Sequence, residues 1–207
     1  MIYEMRFYNT VNDWNNEKDE YVIVWKTNER KPSHNKGVCG KLVACLGYSG
    51  KTFEIPSGVE TIGKSVFVKS EWDCFDPPLE KVVIPYSVNK IEEGAFMGTW
   101  IQKIKIHPDS PCGVVKNGAL YTKDESTLLW IMETDEECNF TVPEGVKRLG
   151  VGCFGYDGIG CLTIPASVTE IGIDPDNDLY SDMEIKAPKG SYAIEFAEKH
   201  GILYEEI

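Results

Sequence analysis

The stretch that most constrains this chain runs from Phe140 to Pro165, FTVPEGVKRLGVGCFGYDGIGCLTIP. It opens on an apolar–polar–apolar–proline step, Phe140-Thr141-Val142-Pro143, and closes on the same step, Leu162-Thr163-Ile164-Pro165. Val142 and Ile164 lie 22 residues apart, and Val146, Leu149 and Phe154 fall between them at offsets of 4, 7 and 12. The same offsets recur from Ile55 (Val59, Ile62, Phe67) and from Ile84 (Val88, Ile91, Phe96). A fourth copy begins at Ile164 with Val168 and Ile171 and fails at Asp176, where the aromatic would stand. Self-similarity at a period of about 20–30 residues marks a solenoid. One coil cannot bury its apolar residues alone, so coils must stack.

Each coil is predicted to start with a short strand: FEI at 53–55, VVI at 82–84, IKI at 104–106, FTV at 140–142, LTI at 162–164 and MEI at 183–185. Proline after most of them cannot donate to a ladder and turns the chain at a fixed point. Stacking would align Ile55, Ile84, Ile106, Val142, Ile164 and Ile185 in one interior column, and Phe67, Phe96 and Phe154 in another. Alternation along the strands would then turn Glu54, Val83, Lys105, Thr141, Thr163 and Glu184 outward. From Phe67 to Ile84 is 17 residues, against 10 from Phe96 to Ile106 and from Phe154 to Ile164, so KSEWDCFDPP carries a seven-residue insertion.

The ends read differently. Tyr3, Met5 and Phe7 alternate with polar residues, and Tyr21 to Trp25 is a second β-rich run. Residues 1–36 are therefore expected to form an N-terminal β cap, with a linker-like Thr27 to Gly37, ahead of repeats over 37–186. Residues 187–207, APKGSYAIEFAEKHGILYEEI, predict a helix capped by Ser191 and stopped at Gly201, then a last strand near Ile202 to Tyr204.

The pattern IPxxVxxIgxxAF, followed about ten residues later by LxxIxIP, resembles the BspA-type leucine-rich repeats found in surface proteins of bacteria and some protozoa. The resemblance spans roughly residues 50–186. Leu149, Val66, Cys153 and the missing aromatic of the last coil depart from it. It implies a β-rich α/β repeat solenoid, a right-handed leucine-rich-repeat superhelix with an N-terminal β cap and a C-terminal helical cap. NGALYTKDESTLLWIM, Asn117 to Met132, is similar to the hairpin that this family inserts between repeats, placing an insertion near 112–138 with a polar turn at Lys123 to Ser126. GVCGKLVACLGYSGK, Gly37 to Lys51, resembles a shortened version of it.

Chemistry is sparse. A net charge of −12 argues against nucleic acid and anionic membrane surfaces, which need basic patches. No apolar run approaches the ~20 residues of a membrane span. The resemblance implies a cell-surface or secreted protein, whereas MIYEMRFYNT lacks the pattern of a signal peptide, so a full-length chain of this sequence would be cytoplasmic. Seven cysteines without a CxxC pair support neither a disulfide framework nor a zinc ribbon. His34, His107 and His200 lie at no metal-ligand spacing, and no nucleophile, phosphate-loop or dinucleotide motif is present. Cys112, shortly after His107, is better read as structural than as a nucleophile.

Asp174, Asp176, Asp178 and Asp182 alternate like calcium ligands, but without the glycine and glutamate of an EF-hand loop they make only a weak metal site. No cofactor is expected. Trp72, Phe75, Tyr86 and Trp100, all at bends, are the candidate protein contacts. The resulting expectation is a monomeric, non-enzymatic binding module for a protein or a host or bacterial surface ligand, of the adhesion type. The alternative is a scaffolding unit that self-assembles or spaces other domains.

Overall fold

The computed structural model of the chain describes residues 3–7, 22–26, 40–46, 51–55, 57, 59–67, 79–99, 101–154, 159–172 and 183–207. Two compact units divide it, Met1–Gly113 and Val114–Ile207. The fold is a β-rich repeat solenoid with one C-terminal helix.

The first unit holds β1 (Tyr3–Phe7), β2 (Val22–Lys26), β3 (Gly40–Leu46), β4 (Thr52–Glu54), β5 (Val59–Ile62), β6 (Lys81–Ile84), β7 (Lys90–Ile91) and β8 (Lys103–Ile106). β1, β2 and β3 form an antiparallel meander, and β3 then pairs in parallel with β5, and β5 with β7. β4, β6 and β8 make a separate parallel sheet. The coils that begin with β4 and β6 thus give one strand to each of two sheets.

The second unit repeats the plan. It holds β9 (Val114–Lys116), β10 (Ala119–Tyr121), β11 (Thr127–Ile131), β12 (Asn139–Thr141), β13 (Arg148–Leu149), β14 (Cys161–Thr163), β15 (Glu170–Ile171), β16 (Glu184–Ala187), helix α1 (Tyr192–His200) and β17 (Leu203–Glu206). A β9–β10–β11 meander continues in parallel through β13 to β15. β12, β14, β16 and β17 form the second, parallel sheet.

The repeat motif has a hydrogen-bond reason. In three coils the valine N–H donates back to the proline carbonyl: Val88 to Pro85 at 3.2 Å, Val146 to Pro143 at 3.4 Å, and Val168 to Pro165 at 3.1 Å. The proline ends the first strand, and this turn aims the chain into the second. Three residues beyond the second strand's buried isoleucine or leucine, the backbone turns left-handed, at Ser65 (φ 55°), Gly94 (φ 73°) and Gly152 (φ 63°). Glycine adopts that conformation without strain, which explains two of the three.

The expected first strands all begin within one residue of the observed ones. Their inward residues are the core: Phe53, Val82, Ile84 and Ile104 in one unit, Phe140, Val142, Leu162, Ile164 and Ile185 in the other. Ile106, expected in the interior column, is only half-buried. Four residues on, where the other coils place valine, stands Ser110, fully buried, its hydroxyl donating to the Val88 carbonyl at 3.2 Å. A polar side chain there is tolerable because it is hydrogen-bonded.

The aromatic column is also uneven. Phe67 stacks on Phe96 with ring centroids 5.6 Å apart and meets Phe53 edge-on at 5.9 Å. Phe154 is half-buried against the second unit's core, while Cys153 beside it is fully enclosed.

The hairpin has three strands, not two. Asn117 (φ 50°) and Gly118 (φ 72°) make a two-residue turn, both left-handed, linking β9 to β10. That geometry matches the twist of the flanking strands. A Cβ on Gly118 would lie 2.9 Å from the Glu133 Cβ, so glycine is required twice over. The polar turn at Lys123 to Ser126 lies between β10 and β11, as expected. Asp124 organises it, accepting from the Thr122 hydroxyl at 2.6 Å and the Ser126 hydroxyl at 2.9 Å.

Ser191 does stand at the helix N-cap, but its buried hydroxyl makes no cap bond. Its carbonyl instead accepts from Ile194 and Glu195. Gly201, at φ 69°, stops α1 and turns the chain into β17.

Candidate interaction surface

Strands β4, β6 and β8 present their alternate residues to solvent. The register sets Thr52 beside Lys81 and Lys81 beside Lys103 in one row, then Glu54, Val83 and Lys105 in the next. Lys103 and Lys105 are exposed and Lys81 is half-buried. None of the three lysines has an ion-pair partner among the described residues. Glu54 is the one carboxylate in these two rows, beside Val83. Glu80, just before β6, is held at 2.7 Å by Lys51.

Beyond the C-terminal ends of β6 and β8 stand Tyr86 and His107. Tyr86 is 61% exposed, large for an aromatic ring, and meets the His107 ring edge-on with centroids 5.5 Å apart. His107 is held locally. Its Nδ1 accepts from the Asp109 N–H at 3.2 Å, and its carbonyl accepts from Ser110. An Nδ1 that accepts leaves the proton on Nε2 in the neutral ring. The pair is therefore a preset aromatic feature beside a basic sheet face.

The equivalent sheet of the second unit is compensated. Lys186 lies 2.7 Å from Glu205 and 3.9 Å from Glu184. Its hydrogen bond with Glu205 raises the lysine pKa above the ordinary value. In the unit's other sheet, Arg148 on β13 forms a salt bridge with Glu170, its cross-strand partner on β15. Cys161, on the outer face of β14, has its thiol pKa raised, chiefly by burial, with Lys186 opposing.

Two shallow pockets flank the second unit's hairpin. One, of about 360 Å³, lies between the Asn117-Gly118 turn and Asp135 to Thr141. The other, of about 260 Å³, is lined by Lys116, Tyr121, Asp124, Glu125 and Pro143 to Val146. Several of their charged groups are already engaged. Hydrogen bonds from Thr122 and Ser126 hold the Asp124 carboxyl below its usual range, backbone N–H groups of Asn139 and Glu137 do the same for Asp135, and Lys116 pairs with Glu125 at 2.8 Å. The Tyr121 hydroxyl, by contrast, is buried without a partner, and burial raises its pKa to about 12.

Of the residues singled out from sequence, Tyr86 lies in the described structure. Trp72, Phe75 and Trp100 lie outside the described residues, as do Asp174, Asp176, Asp178 and Asp182. His107 and Cys112 do not form a base–nucleophile pair: the histidine Nδ1 is taken by Asp109, and the buried Cys112 sulfur lies 3.1 Å from the Ser110 hydroxyl. The lysine rows were missed. Their signal was visible in KVVI and KIKI, where lysine occupies outward positions of an alternating strand.

Comparison with known proteins agrees with this architecture. The family model described as BspA type leucine rich repeat region matches residues 48–122 in six copies. A crystal structure of a leucine-rich repeat protein from Eubacterium ventriosum is similar at a TM-score of 0.52 and 26% identity, covering 67% of this chain and 36% of that one. The chain thus spans little more than a third of that protein. A leucine rich cell surface protein from Faecalibacterium prausnitzii aligns at a TM-score of 0.35 and 19% identity, over 78% of this chain and 41% of that one. The pneumococcal vaccine antigen PcpA aligns at 0.31 and 12%, over 81% and 68%. No curated protein matches. Repeat pattern, coil geometry and family match agree: residues 48–122 match the BspA-type leucine-rich repeat region, and the fold is that of a leucine-rich-repeat solenoid.

Proposed function

We propose that this chain is a non-enzymatic protein-binding module of the adhesion type, acting at a cell surface through the exposed face of its solenoid. The observation that carries the reading is Tyr86, 61% exposed yet held edge-on against His107 at the rim of a regular sheet. An aromatic ring already fixed by its neighbour loses little freedom on binding, and such rings are frequent interface anchors. Parallel strands two to four residues long hold the outward side chains in a rigid grid, so a flat partner surface can be read in register. The test is a pull-down from bacterial and host surface extracts with the wild type and Tyr86→Ala. A partner retained by the wild type and lost by the variant supports the reading. Equal recovery of every protein by both contradicts it.

One observation favours the scaffolding alternative. β17 ends its sheet with all four residues exposed, Leu203 at 72%, and such an edge can pair with another chain. Light scattering across a concentration series separates the two readings: growth in mass with concentration favours scaffolding, and a constant monomer mass favours binding.

A further inference from the structure

We infer that the outer face of β4, β6 and β8 binds an extended acidic segment of a partner protein; this rests on the protein-binding reading and gives that partner its chemistry. The first observation is the placement of charge. Lys81 and Lys103 are register neighbours on adjacent parallel strands, and Lys105 lies two residues beyond Lys103 on the same face. Like charges directly opposite each other on a sheet are destabilising. A chain with a net charge of −12 has carboxylates in excess, yet these lysines have no ion pair among the described residues. The fold does not need the arrangement, because the matching sheet of the second unit sets Lys186 between Glu184 and Glu205.

The second observation is spacing. Residues two apart on a strand are about 6.6 Å apart, and neighbouring strands about 4.8 Å. An extended peptide with acidic residues at alternate positions repeats its carboxylates at that same ~6.6 Å, matching Lys103 and Lys105, with Lys81 one strand away. Val83, between Glu54 and Lys105, gives the face an apolar spot for a small side chain. Tyr86 and His107, past the ends of the same strands, provide an aromatic contact for a flanking residue. A continuous polyanion fits less well, because every further phosphate or sulfate would meet the protein's own negative field. A short acidic segment meets the cations and little else.

The test uses fluorescence anisotropy with the whole chain and a labelled peptide of alternating glutamate and threonine, a glutamine-for-glutamate control peptide, and a labelled sulfated polysaccharide. The expected result is binding of the acidic peptide alone, weakened at least about ten-fold by Lys81→Gln/Lys103→Gln/Lys105→Gln and by raised salt. Lys147→Gln, an exposed lysine of the second unit, should leave it unchanged. Equal binding by the triple variant, no binding of the acidic peptide, or tighter binding of the polysaccharide each overturns the inference. If the peptide fails while Tyr86→Ala still abolishes partner recovery, protein binding stands and the acidic class falls. If both fail, the reading beneath it falls as well.

Discussion

In the first unit the outward residues of β6 and β8 are Lys81, Val83, Lys103 and Lys105; at the matching positions of β14 and β16 the second unit carries Cys161, Thr163, Glu184 and Lys186. The first three strands run in the same order, direction and register in the two, and the inward positions are apolar in both; the second unit adds β17. The buried half of each strand is dictated by stacking. The exposed half is unconstrained by the fold, and there the units part: among the described residues one leaves its cations without an ion pair, and the other pairs Lys186 with Glu205. A repeat protein stores its recognition chemistry in that second half.

The sharpest way to test the comparison is through the aromatic column. Phe96 is 1% exposed and stacked on Phe67, whereas Phe154, at the same offset in its coil, is half-buried. Phe96→Ala should cost about 3–5 kcal/mol by denaturant unfolding, and Phe154→Ala less than about half of that. Equal losses would show that the two columns are packed alike.

The ladder gives the next effect. After the second strand of each coil an N–H continues the parallel pairing: Glu92 to Ile62 in the first unit, Gly172 to Leu149 in the second. A Cβ on Gly172 would lie 2.7 Å from the Val151 nitrogen, a backbone atom that cannot step aside. Gly172→Ala should therefore cost about 1–3 kcal/mol, well above Glu92→Ala. A harmless Gly172→Ala would mean that the coils of the second unit can slide apart at little cost.

The smallest effect concerns Tyr121, buried in the second unit with an unpartnered hydroxyl. Tyr121→Phe removes a desolvated polar group, so it should be neutral or stabilising by up to about 1 kcal/mol. The pH dependence has a definite sign. A phenol held at about 12 in the folded chain, against 10.0 for the ordinary group, stabilises the fold fully below pH 10.0. That contribution is lost as pH rises from 10.0 towards 12, because the unfolded chain releases the proton first. Alkaline unfolding curves of wild type and Tyr121→Phe should diverge in that window. Parallel curves would place a hidden partner at the hydroxyl.

What could be read from sequence follows from the same physics. The first strand of each coil carries alternating apolar residues, most with a following proline, and FEI, VVI, IKI, FTV, LTI and MEI each mark the start of their strand to within a residue. The second strand is as short as two residues, Lys90–Ile91 or Glu170–Ile171, with one buried side chain. A single apolar residue has no period, so that sheet was invisible. The Asn117-Gly118 turn was legible in principle, since both positions need left-handed backbone, but the longer polar turn after Tyr121 drew the hairpin to itself. Tyr86 could be singled out by its place after a proline. His107 as its partner could not, because the two meet only when coils stack in register.

The measurement that tests the account most directly is an amide NMR titration of the labelled chain with the alternating glutamate peptide. The account predicts shifts gathered at Lys81, Val83, Lys103 and Lys105 and at Tyr86 and His107, with the β12–β14–β16 face silent. Shifts centred on that second face, or spread evenly over both, would contradict it.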